Sequence, residues 1–298
     1  MWRHRGELRA GVRALSWLAL ATYISMCPAI ANTVWFHSAP VPPTPLATRL
    51  AAQQGIAAHA NPGDPISGEL YRPSGTGPFP AVVALPGCTG RFDPISERNI
   101  SRHYTDRGYA VLWTDSFSTR GIQHQCGFVP HPVDQVLDAY GALDFLTVQP
   151  FIDPARVIVL GVAQGGTTAL GLASPTGFTQ GISPHRFIAA IAYSPHCYPG
   201  FATVTVPTLI LTGEVDSWNP AAECEAMMAQ RPATATATGT DTGATERLIV
   251  FPGAYHGFNL AGLKDHPTEL FWHYMDYNEH ADRAAWAAVE TFLATLGH

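Results

Sequence analysis

The sequence contains little charge and has no cluster of basic residues. Charged residues make up 13% of the 298 positions, and the formal net charge is −6. Domains that bind nucleic acid present concentrated positive charge to phosphates, so we expect no nucleic-acid partner. The sequence also contains no C-x-x-C or H-E-x-x-H pattern. Because these spacings are typical of metal sites, we expect neither a metal nor another cofactor.

The chain also lacks an apolar run of the length that crosses a bilayer. Its N-terminal apolar stretch, residues 14–26, is shorter than the roughly 20 residues that a membrane helix needs. It follows Arg3, Arg5, Arg9 and Arg13 and precedes Ala29-Ile30-Ala31. This order is typical of a signal peptide, so we predict cleavage of residues 1–31 and export to the periplasm or the medium. An uncleaved anchor helix and a lipoprotein modified at Cys27 are the alternatives, and the bulky residue before Cys27 disfavours the second.

Apolar residues are abundant, at 46% of the chain, which permits a sizeable core and argues against disorder. Short apolar runs alternate with segments of helical periodicity. The predicted strands are residues 81–85, 109–113, 157–160, 187–193, 206–211 and 247–251. The predicted helices are residues 95–107 and 133–146, one after position 163, and one near the C-terminus. This alternation predicts an α/β fold with a mostly parallel sheet and helices on both faces.

The remaining segments define the domain organisation. We expect a single domain over residues 55–298, in which residues 55–72 form an antiparallel strand pair. Residues 232–245 are rich in Thr, Ala and Gly and are interpreted as a flexible insert. Residues 32–54 contain several prolines, and we predict an extended leader that lies on the surface or is mobile.

Four cysteines follow the predicted signal peptide: Cys88, Cys126, Cys197 and Cys224. An even number in an oxidising compartment indicates two disulfides, for which three pairings exist. We favour Cys88–Cys126 and Cys197–Cys224, because each of these pairs would join loops at the same end of the sheet.

The most informative stretch is residues 156–170, where an apolar strand, a glycine-rich turn and a helical segment follow one another. Gly161, Gly165 and Gly166 allow the close approach of strand and helix that a nucleophile elbow requires. At such an elbow a strained residue presents a serine or cysteine to the substrate. Here that position is Ala163, whose methyl group cannot attack a carbonyl.

Other candidate residues follow the carboxyl ends of predicted strands, where ligands bind in open parallel sheets. Residues 86–90 form a glycine-containing turn that presents the backbone N–H of Cys88 to a developing oxyanion, and the N–H of Gln164 is the second candidate donor. An ordinary tight loop is the alternative for residues 86–90.

Two titratable residues follow later strands. Asp216 is placed to orient a histidine, with a helix N-cap as its alternative role and Glu214 as a weaker competitor. His256, between an aromatic residue and a glycine on a loop, is the candidate general base. The order elbow, Asp216, His256 is typical of α/β-hydrolases.

With these motifs the chain resembles the dienelactone hydrolase family of the α/β-hydrolase superfamily, in its exported branch. The resemblance covers about residues 58–296 and rests on residues 81–90, 113–121, 161–166, 213–220 and 251–258. It implies an α/β-hydrolase fold, hydrolysis of carboxylic esters and lactones, and triad positions at Ala163, Asp216 and His256. The chain departs from the family at Ala163 and at Pro86, which replaces the usual histidine before the oxyanion glycine.

Three explanations of Ala163 are open. The chain is a Ser→Ala or Cys→Ala variant of a working esterase, a natural pseudoenzyme that binds a ligand without turnover, or an enzyme that uses another nucleophile. The retained signal sequence argues against the first, whereas the intact Asp216 and His256 favour it mildly. The third requires Cys88 or Thr167 and is disfavoured, since Cys88 is expected to be oxidised and Thr167 lies one helical turn further on.

The predicted substrate contacts come from neighbouring loops. Arg120 could pair with a substrate carboxylate, which would suit small acidic lactones, but a salt bridge to Asp115 or another acid is the favoured alternative. Bulky loop side chains suggest a pocket with apolar walls: Phe117, Trp218, Tyr255 and Phe258. The sequence therefore predicts an ester or lactone hydrolase scaffold that is inactive or nearly so as written. Its rival is a non-catalytic protein that binds a small molecule in the same cleft.

Overall fold

The computed structural model describes residues 1–2, 31–91, 93–127, 134–175, 182–230 and 245–297. Most of the predicted signal peptide and nearly all of the predicted insert at 232–245 lie outside this part of the chain. Among the described residues, no helix is both long and apolar enough to cross a lipid bilayer.

Within these described ranges, eight strands form one sheet in the order β1-β2-β4-β3-β5-β6-β7-β8. They are β1 (Ala31–His37), β2 (Pro65–Tyr71), β3 (Phe79–Leu85), β4 (Ala110–Asp115), β5 (Ile152–Val162), β6 (Ala190–Tyr193), β7 (Thr208–Gly213) and β8 (Glu246–Phe251). Strands β3 to β8 are parallel, and β1 and β2 form an antiparallel edge beside β4. The mostly parallel sheet predicted from the apolar runs is confirmed.

The α-helices of the described residues lie between the strands of the sheet or, in the case of the last one, after them. They are α1 (Pro45–Gln53), α2 (Pro94–Thr105), α3 (Gln135–Thr147), α4 (Gln164–Ala173), α5 (Ala221–Ala229) and α6 (Glu279–Thr295). Single turns of 3-10 helix lie at Ser118–Arg120, Pro199–Phe201 and Ala261–Leu263. A short hairpin, β9 (Thr268–Leu270) and β10 (His273–Met275), follows β8.

Alternate residues of the strands point to opposite sides of the sheet, and both sides are covered. In β3, Val82 and Ala84 pack with α2 and α6, whereas Val83 and Leu85 pack with α3 and α4. Burial on both faces explains why the central strands are continuous apolar runs. The predicted placement of helices on both faces is confirmed.

Two predictions for the N-terminal region are wrong. Residues 32–54 are not an extended surface leader, because they contain most of β1 and all of α1. Residues 55–72 do not form a strand pair of their own, since β2 pairs with β1 on one side and β4 on the other. Segment 31–37 forms a strand at the sheet edge because its side chains alternate in burial: Phe36 is buried in the core, whereas Trp35 is exposed.

Candidate active site

The turn between β5 and α4 has the strained geometry of an elbow. Ala163 adopts φ 52° and ψ −113°, a conformation that non-glycine residues rarely adopt. Its N–H donates to Tyr193 O at 2.8 Å. A Cβ at Gly161 would lie 1.9 Å from Gly165 O, and a Cβ at Gly165 would lie 2.3 Å from Leu85 O. The close approach of strand and helix therefore requires glycine at both positions.

The loop after β3 lies directly against this elbow. A Cβ on Gly87 would be 3.4 Å from Ala163 Cβ. The loop is held by the Cys88–Cys126 disulfide and by the Gln125 N–H, which donates to Cys88 O at 2.8 Å. Within the described part of the chain, neither the Cys88 amide nor the Gln164 amide has a hydrogen-bond acceptor. Two backbone donors beside Ala163 are thus available to an oxygen atom of a ligand.

A buried glutamine also supports this loop. Gln135, at the start of α3, donates through Nε2 to Pro86 O at 3.0 Å. Its Oε1 accepts from Thr168 Oγ1 of α4 at 3.3 Å. Gln135 therefore ties the loop that contains Pro86 to the helices α3 and α4.

His256 and Asp216 form a buried pair at the ends of β8 and β7. His256 Nδ1 lies 2.8 Å from Asp216 Oδ2, and the side chains are 5% and 0% exposed. Asp216 Oδ1 accepts from the backbone N–H groups of Trp218 and Asn219 at 2.9 and 2.8 Å. Both carboxylate oxygens are thus occupied, which fixes the carboxylate and, through Nδ1, the imidazole ring.

A cavity of about 620 Å³ brings most of these groups together. Its lining includes residues of the elbow, the loop after β3, His256, the loop after β6 and the β9–β10 hairpin. Its lining residues include Cys88, Ala163, Gln164, Thr167, His196, Tyr198, Trp218, His256, Leu270 and Met275. Among the described residues, this lining contains no Lys, Arg, Asp or Glu, and no group of three or more His, Cys, Asp or Glu side chains could hold a metal ion.

The predicted substrate contact of Arg120 is wrong. Arg120 makes two hydrogen bonds of 2.9 Å with the buried carboxylate of Asp138, and a third of 2.7 Å with Asp64. It is not part of the cavity lining. Burial raises the pKa of Asp138 above its usual value, although Arg120 opposes that shift. The favoured alternative, a salt bridge to an acid, is confirmed, but the acids are Asp138 and Asp64 rather than Asp115.

Three predicted aromatic contacts also lie outside the cavity lining. Phe117 is buried against Gly90, and Phe258 packs in the core between Phe251 and Tyr193. Tyr255 stacks edge-on with Tyr274 and is partly exposed. Of the four aromatic residues predicted, Trp218 alone lines the cavity, with its ring centroid 5.1 Å from that of His256.

A second imidazole–carboxylate pair at the cavity was not predicted from the sequence. His196, on the loop after β6, lines the cavity, and its Nδ1 lies 2.9 Å from Glu223 Oε2 in the first turn of α5. Cys197 and Cys224, the residues immediately after them, form a disulfide. Both predicted disulfide pairings are confirmed. The pairing of Cys197 with Cys224 was the signal from which the His196–Glu223 contact could have been found.

Comparison with known proteins identifies the family of this chain. The model of the dienelactone hydrolase family matches residues 66–297. Cutinase 1 of Thermobifida cellulosilytica is 28% identical over 162 residues, which cover 52% of this chain and 55% of that protein. The chain thus spans about half the length of that cutinase. An uncharacterised protein of Mycobacterium tuberculosis is 27% identical over 242 residues, 75% of this chain and 79% of that protein.

Solved structures show the same fold. A dienelactone hydrolase-like promiscuous phosphotriesterase from metagenomic libraries has a TM-score of 0.57 and 20% identity, covering 89% of this chain and 98% of that chain. A thermophilic esterase of Thermogutta terrifontis has a TM-score of 0.56 and 18% identity, covering 78% of this chain and 88% of the esterase chain. The sheet order, the elbow and the family match agree, and the chain belongs to the dienelactone hydrolase family of α/β-hydrolases.

Proposed function

We propose that this chain binds a small uncharged carboxylic ester or lactone at an ester-hydrolase site that lacks the covalent nucleophile. The observation that carries the proposal is the combination of a strained elbow at Ala163 with a buried His256–Asp216 pair at 2.8 Å. In this proposal the ester carbonyl oxygen accepts hydrogen bonds from the Cys88 and Gln164 amides. Family membership supports ester chemistry, and the absence of a hydroxyl or thiol at residue 163 supports slow turnover or none.

Water is the nucleophile that the remaining groups could activate. His256 would accept a proton from a water molecule as its oxygen attacks the carbonyl carbon, and would return that proton to the departing alcohol. Asp216 would stabilise the imidazolium formed between these steps. Enzymes that lose a triad member retain accelerations of about 10³–10⁴ over water through the oxyanion hole and binding. We expect residual hydrolysis of that order at most.

The two other candidate nucleophiles receive no support from their contacts. The Cys88 sulfur is bonded to Cys126. The Thr167 hydroxyl donates to Ala163 O at 3.3 Å and accepts from the His196 N–H at 2.9 Å. Since neither group is hydrogen-bonded to His256, neither is set up for activation by it.

The preference for an uncharged substrate follows from the lining. Within the described residues, no Lys or Arg faces the cavity, and Arg120 is paired with two aspartates. A substrate carboxylate would therefore lose its hydration without gaining a cation. This weakens the expectation of small acidic lactones.

A non-catalytic binding protein is the second candidate function, and Ala163 itself favours it. In that case the cavity holds an ester or a related carbonyl compound, and restoring a hydroxyl gives no useful turnover. The two candidate functions differ in the alignment of the oxyanion donors and His256. If these groups are aligned for reaction, the Ala163→Ser variant should hydrolyse the ester, and if they are not, it should remain inactive.

Hydrolysis of p-nitrophenyl butyrate by the purified chain and by its Ala163→Ser variant tests the proposal. We expect the added hydroxyl to raise kcat/KM by at least about 10³-fold, with loss of that gain in the Ala163→Ser, His256→Ala double variant. An Ala163→Ser variant no faster than the parent, although folded and able to bind the ester, would favour the binding protein.

We also propose that the chain is exported. Two disulfides at the site, together with the signal-like N-terminal sequence, support an oxidising compartment. The intact mass of the protein recovered from the periplasm or the medium tests this, and cleavage before Asn32 is the expected result.

A further inference from the structure

A second histidine lines the cavity that contains Ala163 and His256. His196 and Tyr198 line this cavity from the loop after β6. The His196 ring is anchored through Nδ1, 2.9 Å from Glu223 Oε2. The two side chains are 39% and 43% exposed, so this pair is accessible from the cavity and from water.

The pair is held in place from several directions. The Cys197–Cys224 disulfide joins the residues that directly follow His196 and Glu223. The His196 N–H donates to Thr167 Oγ1 at 2.9 Å, and the His196 ring lies nearly parallel to that of Tyr198, with centroids 5.8 Å apart. A side chain held in this way loses little further freedom when a ligand binds. This arrangement favours a binding role over that of a mobile surface histidine.

The hydrogen-bonding capacity of the pair defines what it can recognise. The Glu223 carboxylate accepts only, so it stabilises the tautomer in which His196 Nδ1 carries the proton. Nε2 is then an acceptor, and it has no hydrogen-bond partner among the described residues. A free acceptor at a cavity wall matches a ligand hydroxyl.

The charge of the pair excludes an anion as the preferred ligand. With a neutral imidazole the pair carries one negative charge, and with a protonated imidazole its net charge is zero. A carboxylate on the substrate would meet no net positive charge here, whereas an uncharged hydroxyl would meet an acceptor.

We propose that His196 is a specificity-determining residue that accepts a hydrogen bond from a hydroxyl on the ester substrate, and that Glu223 positions it. This inference rests on the proposed ester-binding function of the cavity. It names the substrate class as neutral hydroxylated esters.

Pairs of ligands that differ by one hydroxyl test the proposal. In the Ala163→Ser background, p-nitrophenyl 3-hydroxybutyrate is compared with p-nitrophenyl 3-methylbutyrate, in which a methyl replaces the hydroxyl. For a hydroxyl on the alcohol side, 2-hydroxyethyl butyrate is compared with propyl butyrate. We expect a lower KM for the hydroxylated member of at least one pair. His196→Ala should reduce that preference about 3- to 10-fold through KM, with kcat little changed.

Three variants separate recognition from a merely structural effect. His196→Gln retains an acceptor and should keep part of the preference, and Glu223→Ala should reduce it by a smaller factor than His196→Ala. His185→Ala is the matched control, because His185 Nδ1 also lies 2.9 Å from a carboxylate, that of Asp144, at similar exposure and outside the cavity lining. It should leave the preference unchanged.

Ligand affinities of the chain with Ala163 in place, measured by calorimetry, test hydroxyl recognition by His196 separately from ester hydrolysis. Ethyl 3-hydroxybutyrate and ethyl 3-methylbutyrate, and 2-hydroxyethyl butyrate and propyl butyrate, are the probes. A hydroxyl preference that His196→Ala abolishes supports the inference even if Ala163→Ser is inactive. Equal affinities within both pairs, a preference that survives His196→Ala, or tighter binding of the monoethyl succinate anion than of ethyl butyrate would each overturn it.

Discussion

The two imidazole–carboxylate pairs at the cavity have nearly the same contact distance but differ in burial. The Nδ1–oxygen distance is 2.8 Å for His256–Asp216 and 2.9 Å for His196–Glu223. Both side chains of the first pair are nearly fully buried, and those of the second are about two-fifths exposed. Water screens the second pair far more than the first. We therefore propose different roles for hydrogen bonds of nearly equal length: proton transfer and charge stabilisation for the buried pair, and ligand recognition for the exposed pair.

The largest expected effect comes from breaking the buried pair. In the Ala163→Ser background, Asp216→Asn should lower kcat by about 10⁴-fold, because the amide no longer favours the productive tautomer or the imidazolium. Glu223→Gln should change kcat less than about threefold on p-nitrophenyl butyrate. Stopped-flow or steady-state kinetics on both variants measures the contrast, and similar losses in the two would remove the distinction between the pairs.

The second prediction concerns the buried ion pair Arg120–Asp138, which lies outside the cavity, and its contribution to the free energy of unfolding. Arg120→Ala leaves the fully buried Asp138 carboxylate without its cation, and we expect a loss of about 3–5 kcal/mol in the free energy of unfolding. In the Ala163→Ser background, the KM for p-nitrophenyl butyrate should not change. Urea unfolding measures the first quantity. An Arg120→Met, Asp138→Leu double variant should recover much of the loss, and a raised KM with normal stability would restore the substrate role of Arg120.

The third prediction concerns the disulfide beside the exposed pair. Replacing Cys197 and Cys224 by Ser should lower the free energy of unfolding by about 2–4 kcal/mol, as expected for a loop of this length. It should also weaken the hydroxyl preference, since it frees the chain next to His196 and Glu223. Thermal unfolding and the paired-ester assay, both on material shown to be folded, give the two readouts. An unchanged preference would mean that the disulfide does not position the pair.

The smallest effect is expected at a carboxyl group that is partly buried without a cation. Desolvation raises the pKa of Asp282 to about 6, although the Tyr277 hydroxyl donates to it at 2.9 Å. Since the unfolded chain releases this proton near pH 4, the folded state binds more protons between about pH 4 and 6, and stability falls as pH rises through that window.

Asp282→Asn should remove this dependence. Relative to the parent, the variant should gain about 1 kcal/mol in the free energy of unfolding between pH 4 and pH 7, after allowance for partial solvent exposure. Urea unfolding at both pH values measures the gain, with the exposed Glu225→Gln as the control. A difference between variant and parent that is the same at both pH values would contradict the prediction.

Local sequence signals predicted the framework of the site well. Continuous apolar runs placed the parallel strands, and the glycines at 161, 165 and 166 predicted the elbow, where the structure has φ 52° at Ala163. The positions of Asp216 and His256 just after two strands predicted that they would lie close together, as they do. These signals work at short range, because strand and turn formation depend on neighbouring residues.

Side-chain direction on the loops was much less predictable. Phe117 and Phe258 follow strands at the correct end of the sheet, yet both are buried in the core instead of facing the cavity. An apolar ring is stable both in the core and at a cavity wall, so the residue type alone does not show which of the two positions it occupies. Arg120 similarly had several acids in reach, and its partner Asp138 became evident once α3 was placed beside it.

By itself, the sequence determined the order of strands and helices, the elbow with its alanine, and the sequence positions of Asp216 and His256. The tertiary structure alone decided that β1 completes the sheet edge, that Arg120 is paired away from the cavity, and that His196 meets Glu223 at its wall. The first set follows from local apolar patterns and backbone sterics. The second depends on packing between segments distant in the chain, where many arrangements satisfy the local pattern and close packing selects one.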